Sequence, residues 1–541
     1  MQPKQTSGII HYAIWQIKTL VTSSQKLTAY FLIILTFILL SVFYFSITSN
    51  DGVAGFLTDD AVYLLLAEYF SPWRGHLDNL LQFIRGINHF PPLYPVLMGI
   101  FGVDSATPEL ASHVSISFLL AGFVAIGVWL YIRTGNLIVS YIIPVVIALL
   151  PGTIIFSQGL WSEFLFICLL YLSLTIISID KPSPQHWLAA ALFVALLALT
   201  RTTGVAMIAA FCLLMLIRRP RFYLLYSFIS LAPFLYWFFF ADAANTNTAY
   251  LTPLFESIAG ASAASIIVTF LHKLSVVLYS LLWLFTGTDG SGLGFSISTL
   301  FTLLFMTTVS AVFVHRLINI KIDAIFILFY LFVILIWPYF DVYFVSRFLF
   351  PVVPIFMFYL WCGISMALRQ HQQKYLASAI ALACVIFMAV PNTLHFSKLA
   401  LTSLGNGLDP YRRQRSWLLS NSHDDAVANA KFTRDLLYSL KQIRKLVPAN
   451  ECIYSVHTAL VMLYAHRISG ELPGPGVSDD VFYKEIHKCG YLVAMRIQDL
   501  NSNFPVYYPL RRLSAKYLDS VIPISIDDNK TKPLVYLVKL R

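Results

Sequence analysis

Leu27-TAYFLIILTFILLSVFYFSIT-Ser49 runs from Lys26 to Asn50 without one charged side chain. A helix that crosses a bilayer needs about 20 such residues. Working outward, similar runs recur near 109–132, 137–151, 160–179, 187–200, 203–217, 222–240, 294–314, 322–340, 348–368 and 374–391. Within hydrocarbon, backbone N–H and C=O groups must be satisfied internally, and long continuous apolar runs do this as helices rather than as barrel strands. The expected fold is an all-α polytopic membrane protein of about 11–13 transmembrane helices. Composition agrees: the 541 residues are 58% hydrophobic and 12% charged, where a soluble chain carries about 25% charged residues.

The net charge of +10 is read as loop charge facing a membrane surface, not as a nucleic-acid footprint. Lys and Arg gather in short loops, as the positive-inside bias requires. Lys4, Lys18 and Lys26 predict a cytoplasmic N-terminus. Arg218-Arg219-Pro220-Arg221, His315-Arg316 to Lys321 and Arg369 to Lys374 predict cytoplasmic loops. The loops at 50–108, 151–159, 201–202, 241–262, 287–293 and 341–347 are then external. Parity conflicts at 263–286, which cannot cross once between two external loops: it lies in the interface, re-enters or belongs to a crossing with other bounds, and His272 and Lys273 in its middle favour a non-spanning or cavity-facing role. The short 187–200 and 203–217 runs leave their hairpin open as a pair of crossings.

Two domains are expected: a transmembrane domain over 1–392 and a soluble extracytoplasmic α/β domain over 393–541. In the latter, Asp424–Val447 has the periodicity of an amphipathic helix and Thr458–His466 that of a short helix, while Cys452–Val456, Tyr491–Met495 and Leu534–Val538 read as strands. Cys452 and Cys489 could pair there if the segment is outside the cytoplasm. Cys168, Cys212, Cys362 and Cys384 lie in apolar runs and read as small buried hydrophobes. In the first external loop, Ala61–Phe70, Leu77–Ile87 and Tyr94–Phe101 look like helices lying in the membrane interface.

Chemistry-bearing residues gather on the external side. Leu57-Thr-Asp-Asp-Ala-Val-Tyr63 holds Asp59 and Asp60 just past the first span, where carboxylates are expensive unless used. Either could act as general base; the structural alternative is a helix N-cap at Thr58 or Asp59. His89-Phe-Pro-Pro-Leu-Tyr-Pro95 sets a helix start, and His89 could contact a phosphate. Ser157-Gln-Gly-Leu-Trp-Ser-Glu163 puts Glu163 at the mouth of a span, as a second acid, as an oxygen ligand or as a helix-dipole partner. Thr200-Arg201-Thr-Thr-Gly204 is a tight turn whose Arg201 could bind phosphate or only snorkel. Tyr339 to Pro354 carries Arg347, suited to bidentate phosphate recognition or to an ion pair with Asp341. Lys273 is a further phosphate-binding candidate. No Walker loop, dinucleotide fingerprint, zinc spacing or nucleophile elbow is present.

In that order and on one side, these motifs resemble the integral-membrane glycosyltransferases of the GT-C superfamily. The likeness is to the bacterial branch of protein O-mannosyltransferases and the lipid A aminoarabinose transferase. It rests on Asp59-Asp60, Pro91 to Pro95, Ser162-Glu163, Leu199 to Arg201, Arg347 to Pro354 and the closing soluble domain. The resemblance implies a hexosyl- or pentosyltransferase of the bacterial inner membrane and cell envelope. Its donor would be a sugar on a polyprenyl phosphate, undecaprenyl or dolichyl, and transfer would go with inversion to a glycan, lipid or protein acceptor. It implies Asp59 or Asp60 as catalytic base, with Arg347 and Arg201 on the donor phosphate. A divalent cation, Mg or Mn, is the one cofactor in view, with Asp60 and Glu163 as its ligands. Two other functions are the alternatives: a lipid-linked glycan transporter or flippase would favour charges near the bilayer midplane and matching halves, and an O-antigen ligase or polymerase would place its key residues in a late loop.

Overall fold

A computed structural model describes residues 31, 33–48, 59–73, 90–241, 263–286, 295–337, 342–367, 393–394, 423–496, 505–524 and 533–541. The helices are α1 (Ile33–Thr48), α2 (Asp60–Phe70), α3 (Leu93–Ile100), α4 (Pro108–Thr134), α5 (Leu137–Ala148), α6 (Pro151–Phe156), α7 (Ser162–Ile177) and α8 (Pro184–Thr200). They continue with α9 (Val205–Arg218), α10 (Tyr223–Tyr236), α11 (Ala263–Thr286), α12 (Phe295–Ile318), α13 (Ile322–Ile336), α14 (Val342–Leu349) and α15 (Val353–Ala367). The C-terminal part adds α16 (His423–Leu446), β1 (Ile453–Ser455), α17 (Thr458–Ala465), β2 (Ser469–Glu471), α18 (Asp479–Ile486), β3 (Tyr491–Met495), β4 (Leu518–Ile524) and β5 (Val535–Leu540). The chain divides into two compact units, Met1–Ile47 and Thr48–Arg541. The C-terminal sheet therefore shares a unit with the helices from α2 onward.

Local sequence explains most helix ends. Proline opens α4, α6 and α8 at the first turn, where its missing N–H loses nothing. Asn136 caps α5 by accepting from the Ile138 and Val139 amides, and Ser183 forms a capping box with His186 ahead of α8. The helices bury one face and leave large apolar side chains on the other: α4 buries Leu119, Phe123, Ile126 and Trp129 but exposes Val124, Val128 and Tyr131. A soluble protein avoids so broad an apolar surface; a bilayer is its natural solvent.

Among the described residues, α4, Val268–Thr286 and Phe344–Ala367 are long and apolar enough to cross a membrane, and Leu303–Ile318 with Ile322–Ile336 forms a pair bent by 116°. Six shorter apolar helices accompany them, including α8 and Thr202–Arg218, the two halves of the 187–217 hairpin. The expected span at 374–391 lies outside the described residues. The segment 263–286, where the parity of crossings was in conflict, is one continuous helix, and its stretch from Val268 has the length and composition of a span. Its internal Lys273 does not break it because the ammonium finds two carbonyls elsewhere.

Two of the helices expected to lie in the membrane interface form, but α2 is not amphipathic in use: Asp60 through Glu68 are all buried. Gly99 of α3 meets α2 so closely that a Cβ there would stand 2.5 Å from the Ala67 carbonyl oxygen. On another face α2 packs Val62, Leu65 and Leu66 against Met462 of α17. The third stretch, Leu77–Ile87, is outside the described residues.

The C-terminal sheet has the order β2-β1-β3-β5-β4. β1 pairs parallel with β2 and β3, and β5 pairs antiparallel with β3 and β4. Leu492, Ala494, Val538 and Leu540 build its core with Tyr454, Phe482 and Ile486. β2, β4 and α18 were not legible beforehand. Cys452 and Cys489 form a disulfide just ahead of the paired strands β1 and β3.

Candidate active site

Asp59 occupies the N-cap position of α2, but its side chain makes no capping bond. Its Oδ2 instead accepts from Arg347 Nη2 at 2.9 Å. Arg347 Nε donates to Glu163 Oε1 at 2.8 Å. Arg201 Nη1 lies 2.5 Å from Glu163 Oε2 and donates to Ser162 Oγ at 3.2 Å. Four residues from four parts of the chain thus form one line: Asp59, Arg347, Glu163, Arg201.

Each is placed by its own element. Trp161 is extended, so α7 starts at Ser162 and Glu163 falls in its first turn, beside unpaired amides that favour a carboxylate. Arg201 is also extended and ends α8; a 3₁₀ turn, Thr202–Gly204, then leads into α9. The turn is tight, since a Cβ on Gly204 would stand 2.6 Å from the Ala198 Cα. Arg347 sits in the last turn of α14, just before the helix passes through the 3₁₀ turn Phe350–Val352 into α15. Its guanidinium carbon lies 3.8 Å over the Trp161 ring, and that of Arg201 lies 5.4 Å from the Phe348 ring centroid.

Burial sets the energetics. The Glu163 side chain is 3% exposed and that of Arg347 6%, so these charges have left water and only their mutual pairing offsets the desolvation. Asp59 is the open end of the line, at 21% side-chain exposure, whereas Asp60 is 5% exposed within α2. Asp59 Oδ1 has no hydrogen bond among the described residues, and neither do Nε and Nη2 of Arg201. The site therefore presents an accessible carboxylate oxygen at one end and guanidinium donors at the other.

Sequence reading missed the supports. Tyr63, one helical turn after Asp59, donates to Ser162 Oγ at 2.9 Å, so Ser162 receives both Tyr63 and Arg201. Tyr63 also meets Tyr94 edge-on at 4.8 Å. The four-residue spacing from Asp59 was the available signal. Lys273 takes a different post: its Nζ donates to the Leu335 carbonyl at 2.7 Å and the Trp337 carbonyl at 2.8 Å, closing the end of α13, where carbonyls lack helical partners. Arg347 pairs with Asp59 and Glu163; Asp341, its expected partner, and His89 lie outside the described residues.

The acids do not suit the expected cation. Both Glu163 oxygens face guanidinium nitrogens, and a Mg or Mn ion there would meet two arginines. Among the described residues no group of three His, Cys, Asp or Glu side chains could hold a metal ion.

No family model matches the sequence, and no curated protein matches it. Solved structures do resemble it. One is ArnT from Cupriavidus metallidurans bound to undecaprenyl phosphate, at 12% identity and a TM-score of 0.48, covering 93% of this chain and 97% of that one. Another is an oligosaccharyltransferase from Archaeoglobus fulgidus tethered to an acceptor peptide, at 14% identity and a TM-score of 0.44, covering 86% and 69%. AglB from the same organism, in complex with an inhibitory peptide and a dolichol-phosphate, is similar at 13% identity and a TM-score of 0.45.

Proposed function

We propose that this chain is a membrane glycosyltransferase of the GT-C type, moving a sugar from a polyprenyl-phosphate donor to an acceptor hydroxyl at the external face. The observation that carries the reading is the line Asp59–Arg347–Glu163–Arg201, with its exposed carboxylate at one end and guanidinium donors at the other. Asp59 Oδ1 takes the proton of the acceptor hydroxyl. The acceptor oxygen bonds to the anomeric carbon from the face opposite the phosphate, which inverts that centre. The bond from the anomeric carbon to the phosphate oxygen breaks, and its electron pair leaves with the polyprenyl phosphate. Arg201 faces that developing charge with its remaining N–H groups, the kind of fixed cation that stabilises a leaving phosphate. Arg347 holds Asp59 in place. The Cys452–Cys489 disulfide supports an oxidising compartment for the C-terminal part, hence a site on the external side of the membrane.

The test is Asp59→Asn and Asp60→Asn in purified full-length protein, assayed with a polyprenyl-phosphate sugar. Asp59→Asn is expected to lose about 10²–10⁴-fold in rate, the span of a positioned base, and Asp60→Asn less. Full activity in a well-folded Asp59→Asn protein refutes the assignment.

A further inference from the structure

A second charged layer lies at the other end of the bundle and takes no part in the chemistry above. Arg316 grips Asp323 with two bonds, Nε to Oδ2 at 2.6 Å and Nη2 to Oδ1 at 2.7 Å. Tyr359 donates to the same Oδ2 at 2.7 Å, and the Arg316 guanidinium lies 4.9 Å from the Phe358 ring centroid. Arg133, in the last turn of α4, stands within electrostatic reach of both Arg316 and Asp323. One aspartate thus answers two arginines; Asp180 also acts on Arg133 but more weakly, and it is exposed with Lys181 beside it.

Among the described residues the layer is short of acceptors: Arg133 Nε is buried without a hydrogen-bond partner there, and so are the hydroxyls of Thr175, Ser178 and Ser365. Helix packing puts all four at one level. α4 and α7 run side by side in the same sense, with Gly122 against Ile167 and Trp129 against Tyr171 at 5.2 Å. Trp129 also meets Phe358 of α15 at 5.2 Å. Arg133 and Thr175 each lie one turn beyond that aromatic contact, and Ser178 and Ser365 within about one turn more. Buried donors of this kind normally find a partner.

Depth identifies the partner. Ser115 of α4 belongs to the active-site end, since it accepts from Tyr94, which packs on Tyr63. From Ser115 to Arg133 the helix advances about 27 Å at 1.5 Å per residue, close to the roughly 30 Å of a hydrocarbon core. The second layer therefore stands at the opposite membrane interface, where the acceptor-rich anions are lipid phosphates. We propose that Arg133 and Arg316, with the Thr175, Ser178 and Ser365 hydroxyls, bind a lipid phosphate there, at a site separate from the Asp59 centre. The guanidinium and hydroxyl groups supply charge-assisted hydrogen bonds to its oxygens.

The experiment places the full-length protein in phosphatidylcholine nanodiscs containing a minor fraction of phosphatidylglycerol or of undecaprenyl phosphate. Lipid retained after extraction into detergent is then counted by native mass spectrometry. The wild type is expected to keep a phosphate lipid that Arg133→Gln loses by about tenfold or more, the scale of one charge-assisted contact. Arg201→Gln, a change at the other site, is expected to leave phosphatidylglycerol retention intact while lowering that of undecaprenyl phosphate held at the Asp59 centre, so failure of one reading does not mimic failure of the other. Should Arg133→Gln fold poorly, Thr175→Val with Ser178→Ala serves in its place, and Arg133→Lys should recover part of the loss. Preference for phosphatidylglycerol assigns the site to bulk lipid, and preference for undecaprenyl phosphate to the carrier; either supports a lipid phosphate. Equal retention in wild type and variants, or full displacement by inorganic phosphate with no lipid held, overturns the proposal.

Discussion

Glu163 is where two buried guanidiniums converge, and its neighbours depend on its charge. Replacing it with glutamine removes the one group that answers both arginines. Breaking a buried pair in this way costs about 3–5 kcal/mol. Glu163→Gln is therefore expected to unfold at a clearly lower temperature in detergent, followed by tryptophan fluorescence; an unchanged midpoint contradicts the pairing. The four members of the line were all visible in the sequence as candidates, Asp59 in the loop after the first apolar run and the others at the ends of later ones. Their partnership was not, because the bonded residues lie 288 and 184 positions apart and no periodicity links such distances. Lys273 shows the same limit from the other side: a lysine inside an apolar run reads alike whether it meets a phosphate or a helix end.

At the level of single elements, the turn from α8 to α9 sets the position of Arg201. Gly204 has the backbone of Ala198 and Leu197 directly against it, and a backbone cannot step aside as a side chain can. Gly204→Ala should displace the turn and lower the transfer rate by about 10²-fold, the effect of misplacing a catalytic contact by roughly 1 Å. Initial rates at saturating donor check it; wild-type rates would mean that Arg201 is placed by other contacts. α2 marks where pattern reading stopped short. Its run of Ala61 to Phe70 was legible as a helix, but its apolar residues face two bodies at once, α3 and α17, and a single-face template assigns such a helix to a lipid surface. Short β2 and exposed β4 had no alternation strong enough to find.

At the scale of the whole molecule, the C-terminal part braces the helix that carries the catalytic carboxylate. The disulfide fixes the root of β1, and α17 follows β1 directly and packs on α2 through Met462. Cys452→Ser is expected to destabilise this part by about 3–4 kcal/mol on the chain-entropy estimate for a loop of this length, read as earlier proteolytic release of the C-terminal fragment; unaltered protease resistance would separate the disulfide from the brace. Acid should loosen the same contact. His466 ends α17 in the left-handed region, and burial, then Arg444, hold its imidazole below the usual value near 6.5. Glu68 acts the other way, and Arg467 and Lys441 add to Arg444. The unfolded chain then binds the proton more readily, so this stability is complete above about pH 6.5 and declines as the pH falls through the lowered value. Stability against pH should flatten in His466→Gln, and identical profiles would exclude the residue. That a more polar part with strands follows the apolar helices could be read from composition; its docking on α2 could not, since it rests on Met462 meeting Val62, Leu65 and Leu66 far away in sequence.

The distance in sequence between Asp59 and Arg347 also sets a clock for biogenesis. The ribosome delivers the carboxylate 288 residues before its guanidinium, an interval of about 15–60 s at ordinary elongation rates. Arg201 arrives midway and can settle Glu163 first. During the remaining synthesis the nascent chain must keep an acidic segment beside the lipid with its final counter-ion still unmade, so the active site is assembled last, as the membrane part of the chain nears completion.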